Sequence, residues 1–463
     1  MLSSVLKIGF LLFQTPTYRE HVEASWQVNL PSNSAGYSAI LTTNPNETLT
    51  NVVEPNIPNA FAIGFDTSNP KSQDPFNADG NIYGRPEREV SLHLNGREIA
   101  NRLCPEEMKT SQPVNYRVDI DSVVGGSAVT VTVGKSKVYN RFFVPEMKPL
   151  EGNWTFGQTD GVQTTRFRKR ESGKVIPAET PEHVSVFTNE VNNNGRHRFE
   201  KAVDLPQNTD AFGRVVATLT LAPTPQGLDP WDRLAQIWLT DEKGDRYEVL
   251  RYITPYRKGW TWKVDLTHLL PILSGKKTFK LECETYAEGW LVSFDLDYYK
   301  GALSPRPFQV INLWNGTATL GQPDKFPLTD LLKAKNLDLP TFKKAEFWAT
   351  VTGHGMSPNS ENAAEFHPLW RKLHVGTSIF ENNLWKEDNY LNPCRPQGGT
   401  WKYDRAGWAP GDVVTPWSVD ITKAVKQRAV NEFGYEIQPY ENKSPVDGNA
   451  ARHVIESVVV LYK

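Results

Sequence analysis

Asp229-Pro230-Trp231-Asp232-Arg233 sets a carboxylate directly beside a guanidinium in an acidic, aromatic knot. A carboxylate can take a proton from water, and a neighbouring arginine holds it ionised and oriented, so Asp232 is the candidate catalytic base. Further carboxylates and guanidiniums follow in Glu282-Cys283-Glu284-Thr285-Tyr286, in Ala363-Ala364-Glu365-Phe366 and in Asp404-Arg405-Ala406-Gly407-Trp408. Paired carboxylates also serve glycosidases, one as acid and one as base, with a separation that sets the stereochemistry. Spacing along the chain does not separate these chemistries. Any single Asp, Glu or Arg is most often a surface charge or half of a structural ion pair. His354, in Thr352-Gly353-His354-Gly355, reads either as cleft-lining or as part of a tight turn.

The elements around these residues read as β. Residues 214–221 run into the knot and residues 235–239 leave it, so Asp232 and Arg233 sit on a loop just before a strand. Lys243-Gly244-Asp245 then turns the chain into residues 247–252. The stretch Trp262-Lys263-Val264-Asp265-Leu266-Thr267 recurs as Trp417-Ser418-Val419-Asp420-Ile421-Thr422, and each copy precedes a short apolar helical turn. Two side-by-side jelly rolls would leave such a trace.

Upstream, residues 61–65, 89–94 and 128–133 alternate with period two between frequent turn signals, which argues a β-sandwich. A Pro- and Gly-bearing passage at 145–152 marks its end, and the charged stretch 166–174 reads as a solvated loop. The expected division is 1–148, 149–303 and 304–463. Asp74, Asn77 and Asp79 lie in a loop rich in oxygen donors that suits calcium. The same residues are what any long turn prefers, and that is the stronger reading. Residues 5–13 resemble the apolar part of a signal peptide but lack its flanks, and a first strand is the better reading.

The composition bounds the partners. With 463 residues, 39% hydrophobic, 22% charged and a formal charge of −2, the chain has room for about three domains of roughly 150 residues and no excess of cations. Nucleic acid and anionic membranes are poor partners, and no apolar stretch is long enough to span a bilayer. The 14 Trp, 16 Tyr and 21 Phe fill β-cores by default, with some left to stack on sugar rings. Cys104, Cys283 and Cys394 show no metal-like pairing and no disulfide framework. Sequons at Asn46, Asn153, Asn315 and Asn442 are close to chance and decide nothing. Oligomeric state is not legible.

Six motifs in order carry a resemblance: 229–233, Arg251-Tyr252-Ile253-Thr254-Pro255-Tyr256, Glu282-Cys283-Glu284-Thr285-Tyr286, Thr352-Gly353-His354-Gly355, Ala363-Ala364-Glu365-Phe366, and 404–411. Over about residues 150–463 the succession resembles the peptide-N-glycosidase F family. The likeness implies an all-β protein whose last two domains are side-by-side eight-stranded antiparallel jelly rolls. It implies an amidase that cleaves the bond between asparagine and N-linked GlcNAc, with Asp232, Glu365 and Glu284 as catalytic residues. Arg405, Arg233, His354, Trp408 and Tyr286 are then substrate-binding, and Asp232, Glu284, Glu365 and Arg405 are expected to converge on one cleft. Arg405 either holds Asp232 or polarises the substrate carbonyl. The implied partner is an N-glycosylated protein or glycopeptide met outside the cell or at its surface, with carbohydrate as ligand and no cofactor.

This sequence departs from the family in its cysteines. Where relatives carry them near the Trp-Asp-Arg, Ala-Glu-aromatic and Ala-Gly-Trp motifs, this chain has Leu228 and Pro230, Ala363 and Phe366, and Ala409. Packing and hydrogen bonds must hold the cleft loops instead. The alternative is a non-catalytic glycan-binding or assembly protein that retains the paired rolls. Phe65-Asp66-Thr67, the Asn/Asp-rich loop and Val118-Asp119-Ile120-Asp121 ahead of Gly125-Gly126 make the first domain resemble a legume-lectin or laminin-G sandwich, with no sugar-binding residue to carry over.

Overall fold

A computed structural model describes residues 16–31, 34–43, 53–67, 89–110, 112–159, 161–355, 364–440 and 450–463. The calcium candidates Asp74, Asn77 and Asp79 and the apolar segment 5–13 lie outside the described residues.

The first compact unit holds β1 (Tyr18–Asn29), β2 (Gly36–Thr42), β3 (Ala60–Asp66), β4 (Glu89–Leu94), β5 (Arg97–Leu103), β6 (Val114–Val123), β7 (Gly126–Val133), β8 (Ser136–Pro145), β9 (Asn153–Gln158) and β10 (Gln163–Ile176). They make two five-stranded antiparallel sheets, β10-β1-β6-β7-β8 and β5-β4-β3-β2-β9. Period-two alternation buries Val22, Ala24, Trp26 and Val28 of β1. Trp26 stacks on Tyr116 at 6.1 Å and Tyr37 on Phe65 at 4.6 Å, so these aromatics fill a core.

Two expectations are corrected here. Because β9 pairs with β2 and β10 with β1, the sandwich continues past residue 148, and this unit runs to Glu179. The charged stretch 166–174 is strand, not loop. It lies on the outer edge of its sheet, where charge guards an unpaired edge and hides the alternation that marks interior strands.

The second unit holds β11 (Glu182–Asn192), β12 (Arg198–Asp204), β13 (Phe212–Ala222), β14 (Leu234–Thr240), β15 (Arg246–Ile253), β16 (Trp260–Asp265), β17 (Lys276–Cys283) and β18 (Trp290–Lys300). It continues with β19 (Pro307–Thr319), β20 (Lys335–Leu339), β21 (Lys344–His354), β22 (Leu369–Val375), β23 (Ser378–Leu384), β24 (Asp412–Val413), β25 (Trp417–Asp420), β26 (Ala429–Ile437) and β27 (Arg452–Tyr462). The sheets β11-β18-β13-β16 and β12-β17-β14-β15 put the first, eighth, third and sixth strands against the second, seventh, fourth and fifth, which is jelly-roll order. The sheets β19-β27-β21-β25 and β20-β26-β22-β23 repeat that order. The two copies of the sequence repeat form β16 and β25, which hold the same edge position in their respective rolls.

The two rolls share apolar contacts. Val310, Val458, Val460 and Tyr462 of the second belong to the core that also holds Leu239, Phe279 and Phe294 of the first. His268 stacks on Trp348 at 4.1 Å, and burial pushes its imidazole down to about 4, so it sits there neutral. Arg251 of β15 forks onto Glu248 and reaches across to Thr352 Oγ1 (3.0 Å) and the Val454 carbonyl (2.7 Å). The short strand β24 leaves the second roll's sequence to pair with β15, extending a sheet of the first. All three cysteines are buried. Among the described residues no helix is long and apolar enough to cross a membrane.

Candidate active site

The knot leaves β13 through a tight turn in which Thr224 and Gly227 exchange backbone hydrogen bonds. Asp229, fully buried, then organises it. Its Oδ1 accepts the Trp231 N–H at 3.0 Å across Pro230, its Oδ2 accepts the Thr285 hydroxyl, and its backbone pairs with Gly289 and Arg257. Downstream, the Thr254 hydroxyl accepts the Arg233 N–H (2.7 Å) and donates to the Trp231 carbonyl (3.0 Å). Asp232 is thus pinned from both sides without a disulfide. The Arg233 guanidinium reaches back toward Asp229, at 3.8 Å.

Arg405 and Glu365 arrive from the second roll. Gly353, at the end of β21, is where their segments meet: a Cβ there would collide with the Ala364 carbonyl and the Ala406 Cβ. The Gly353 N–H donates to the Ala406 carbonyl and the Ala406 N–H to the Glu365 carbonyl, both at 2.9 Å. Gly407, at φ +80°, turns the chain where a side chain would strike Leu384.

The result is an arginine between two carboxylates. Arg405 Nη2 lies 3.6 Å from Asp232 Oδ2, and Nε lies 3.4 Å from Glu365 Oε1. The arginine side chain is unexposed, whereas the carboxylates keep 18% and 21% of their side-chain surface. Its guanidinium lies 4.6 Å from the Trp408 ring centroid and 5.2 Å from that of Phe366. Nη1 donates to the Thr400 and Tyr403 carbonyls and Nη2 to the Thr400 hydroxyl. The Tyr256 hydroxyl is 3.2 Å from that of Thr400 and lies near enough to Asp232 to favour its charged form.

The electrostatics follow from burial. Burial pushes the Asp232 carboxyl up, against the pull of Arg405 and Tyr256. Burial pushes Glu365 up to about 7, with Arg405 opposing and the negative Asp232 adding to the rise. Both carboxylates on the one cation are thus raised by burial, and the charge of Asp232 adds to the rise at Glu365.

Other expected residues lie elsewhere. Glu284 is not part of the cluster. Strand alternation turns Cys283 and Thr285 inward and Glu284 and Tyr286 outward, and Glu284 pairs with Arg198 at 3.3 Å, more than half exposed. Tyr286 is 66% exposed and edge-on to His197, a free aromatic face beside the knot, as is Trp231. Trp408 and His354, expected to bind substrate, are buried. Trp408 packs on Arg405 and donates to the Gly353 carbonyl at 2.7 Å. His354 stacks on Trp408, bonds Thr352 at 2.8 Å, and is held well below its ordinary pKa by burial and by Arg452 and Arg251. Asp229, Thr254, Tyr256, Thr285 and Phe366 lie within the ordered motifs and Thr400 outside them, and none had a role legible in the sequence. Thr254 and Tyr256 fall in the Thr-Pro-Tyr stretch after β15.

Known proteins are similar to this chain in sequence and in fold. Residues 325–460 match the family model described as peptide-N-glycosidase F, C terminal. The chain is 29% identical over 248 residues to peptide-N(4)-(N-acetyl-beta-D-glucosaminyl)asparagine amidase F of Elizabethkingia miricola, covering 50% of this chain and 69% of that protein. The fold resembles the structure of PNGase F, a glycosylasparaginase from Flavobacterium meningosepticum, with a TM-score of 0.55 at 23% identity over 62% of this chain and 96% of that one. It also resembles PNGF-II, with a TM-score of 0.50 at 14% identity over 96% of this chain and 99% of that one. Ordered motifs, duplicated jelly rolls and these matches together make the chain similar to peptide-N-glycosidase F, in sequence over 50% of its length and in fold over 62%.

Proposed function

We propose that this protein hydrolyses the amide between asparagine and N-linked GlcNAc, with Asp232 as general base. The observation that carries the reading is the Asp232–Arg405–Glu365 cluster, built from both rolls around an arginine with no exposed side-chain surface. Asp232 takes a proton from water as the water oxygen attacks the side-chain carbonyl carbon. When the resulting tetrahedral centre collapses, the C–N bond breaks and the leaving nitrogen takes up a proton, giving aspartate and a 1-amino glycan. Glu365, protonated to a substantial degree near pH 7, is the group suited to supply it. Arg405 has its donors engaged with Thr400 and Tyr403, which favours holding the two carboxylates over polarising the substrate carbonyl directly. Trp231 and Tyr286 offer exposed faces for sugar stacking, and Glu284 an acceptor for hydroxyls.

The test is incubation with a denatured N-glycoprotein, reading the Asn-to-Asp mass change and the released glycan. The expected result is conversion by the parent and at least a hundredfold less by Asp232→Asn. Equal absence of product from both proteins, with glycan binding intact, would leave the non-catalytic glycan-binding reading in its place.

A further inference from the structure

The second roll carries a pocket of about 520 Å³ that the cleft chemistry does not use. It opens where the edge strand β23 of one sheet meets the edge strand β25 of the other. The volume lies within the roughly 300–1,000 Å³ typical of small-molecule sites. Its wall combines two half-buried indoles, Trp385 and Trp417, with the amides of Asn382 and Asn383 and the charges of Arg371 and Asp388.

Arg371 makes this more than a dent. It is 4% exposed, its Nε donates to Asn382 Oδ1 at 3.1 Å, and its guanidinium lies 5.1 Å from the Trp417 ring centroid. Its Nη1 is buried away from solvent, and the guanidinium lies beside the buried Tyr435, so Arg371 fixes the wall from behind through Asn382. Arg371 and Lys386 are balanced by Glu387 and Asp388, so the wall has no net charge with which to select an ion. Indole faces and planar amides, one of them held by Arg371, together suit a ring that presents C–H on one face and hydroxyls around its rim. We propose that this pocket is a second, non-catalytic site for a neutral oligosaccharide. It sits behind the catalytic segment: Lys386 and Arg405 exchange backbone hydrogen bonds of 2.8 and 3.1 Å, and Gly407 contributes to the lining.

The test is a calorimetric titration of the Asp232→Asn protein with free mannotriose, followed by the same titration after a further substitution. Saturable binding is expected, weakened at least tenfold by Trp385→Ala and at least threefold by Asn383→Ala. Tyr286→Ala, at the cleft rim, should leave it unchanged. Asn383 is exposed, so its replacement reads the site even if Trp385→Ala does not fold. The proposal is overturned by absence of saturation at millimolar sugar, by unchanged affinity in Asn383→Ala and any folded Trp385→Ala protein, by loss in Tyr286→Ala instead, or by displacement with an unglycosylated peptide. Because binding is measured, the outcome does not depend on whether the protein cleaves amides.

Discussion

Glu365 shows how a single carboxylate reports its surroundings. In an unfolded chain it would lose its proton near 4.5, whereas burial in the folded protein delays that loss to about 7. Between these values the folded chain holds more protons than the unfolded one, so this group's contribution to stability falls as pH rises and is least favourable above 7. Glu365→Gln cannot ionise. It is expected to melt higher than the parent at pH 8, with the gap closing toward pH 4.5; the same difference at both pH values in scanning calorimetry would contradict the assignment. If Glu365 is also the proton donor, kcat/KM should decline on the alkaline side of about pH 7. Motif order brought Asp232, Glu365 and Arg405 into view, but a motif carries identity and not facing. That is why Glu284 was expected in the cluster and Trp408 against substrate. Tyr256 and Thr400 went unassigned because a hydroxyl that relays a hydrogen bond leaves no periodic mark.

At the level of elements, the knot depends on threonines rather than cysteines. Thr254→Val keeps the shape but strands the Arg233 N–H and the Trp231 carbonyl, and should cost about 1–3 kcal/mol in urea denaturation. Interior strands such as β13, β14 and β15 were legible because their apolar residues recur along the chain. β10 was not, because an edge strand has one side to protect rather than two to bury. Arg168 and Arg170 stand opposite Ser25 and Glu23 in the register of β10 on β1. Replacing both arginines with valine should turn this edge into a template for pairing, seen as added mass in light scattering. A monodisperse double variant would show that the charges do not guard the edge.

For the second unit as a whole, cooperativity follows from what the rolls share. Val310, Val458, Val460 and Tyr462 complete the first roll's core, so the two rolls should unfold in one calorimetric transition. Arg251 is the polar counterpart. Arg251→Ala would leave Glu248 buried without its fork and remove the bonds to Thr352 and the Val454 carbonyl, at about 3–5 kcal/mol. Two separate transitions in the parent, or a loss below 1 kcal/mol in the variant, would show that the rolls are merely adjacent. The sequence repeat indicated duplication but not this shared core, because the residues that form it are ordinary β-strand valines until a partner surface is known.

The pairing of Asp412 and Val413 with β15 carries a consequence for biosynthesis. That contact ties the segment just after Arg405 to a strand made long before it, so Asp232 leaves the ribosome well ahead of the cation and the second carboxylate it works with. A nascent chain holds only half of the site, and competence arrives with the last strands of the second roll. The Asp232–Arg405–Glu365 cluster is therefore absent throughout most of the protein's own synthesis, by order of emergence alone.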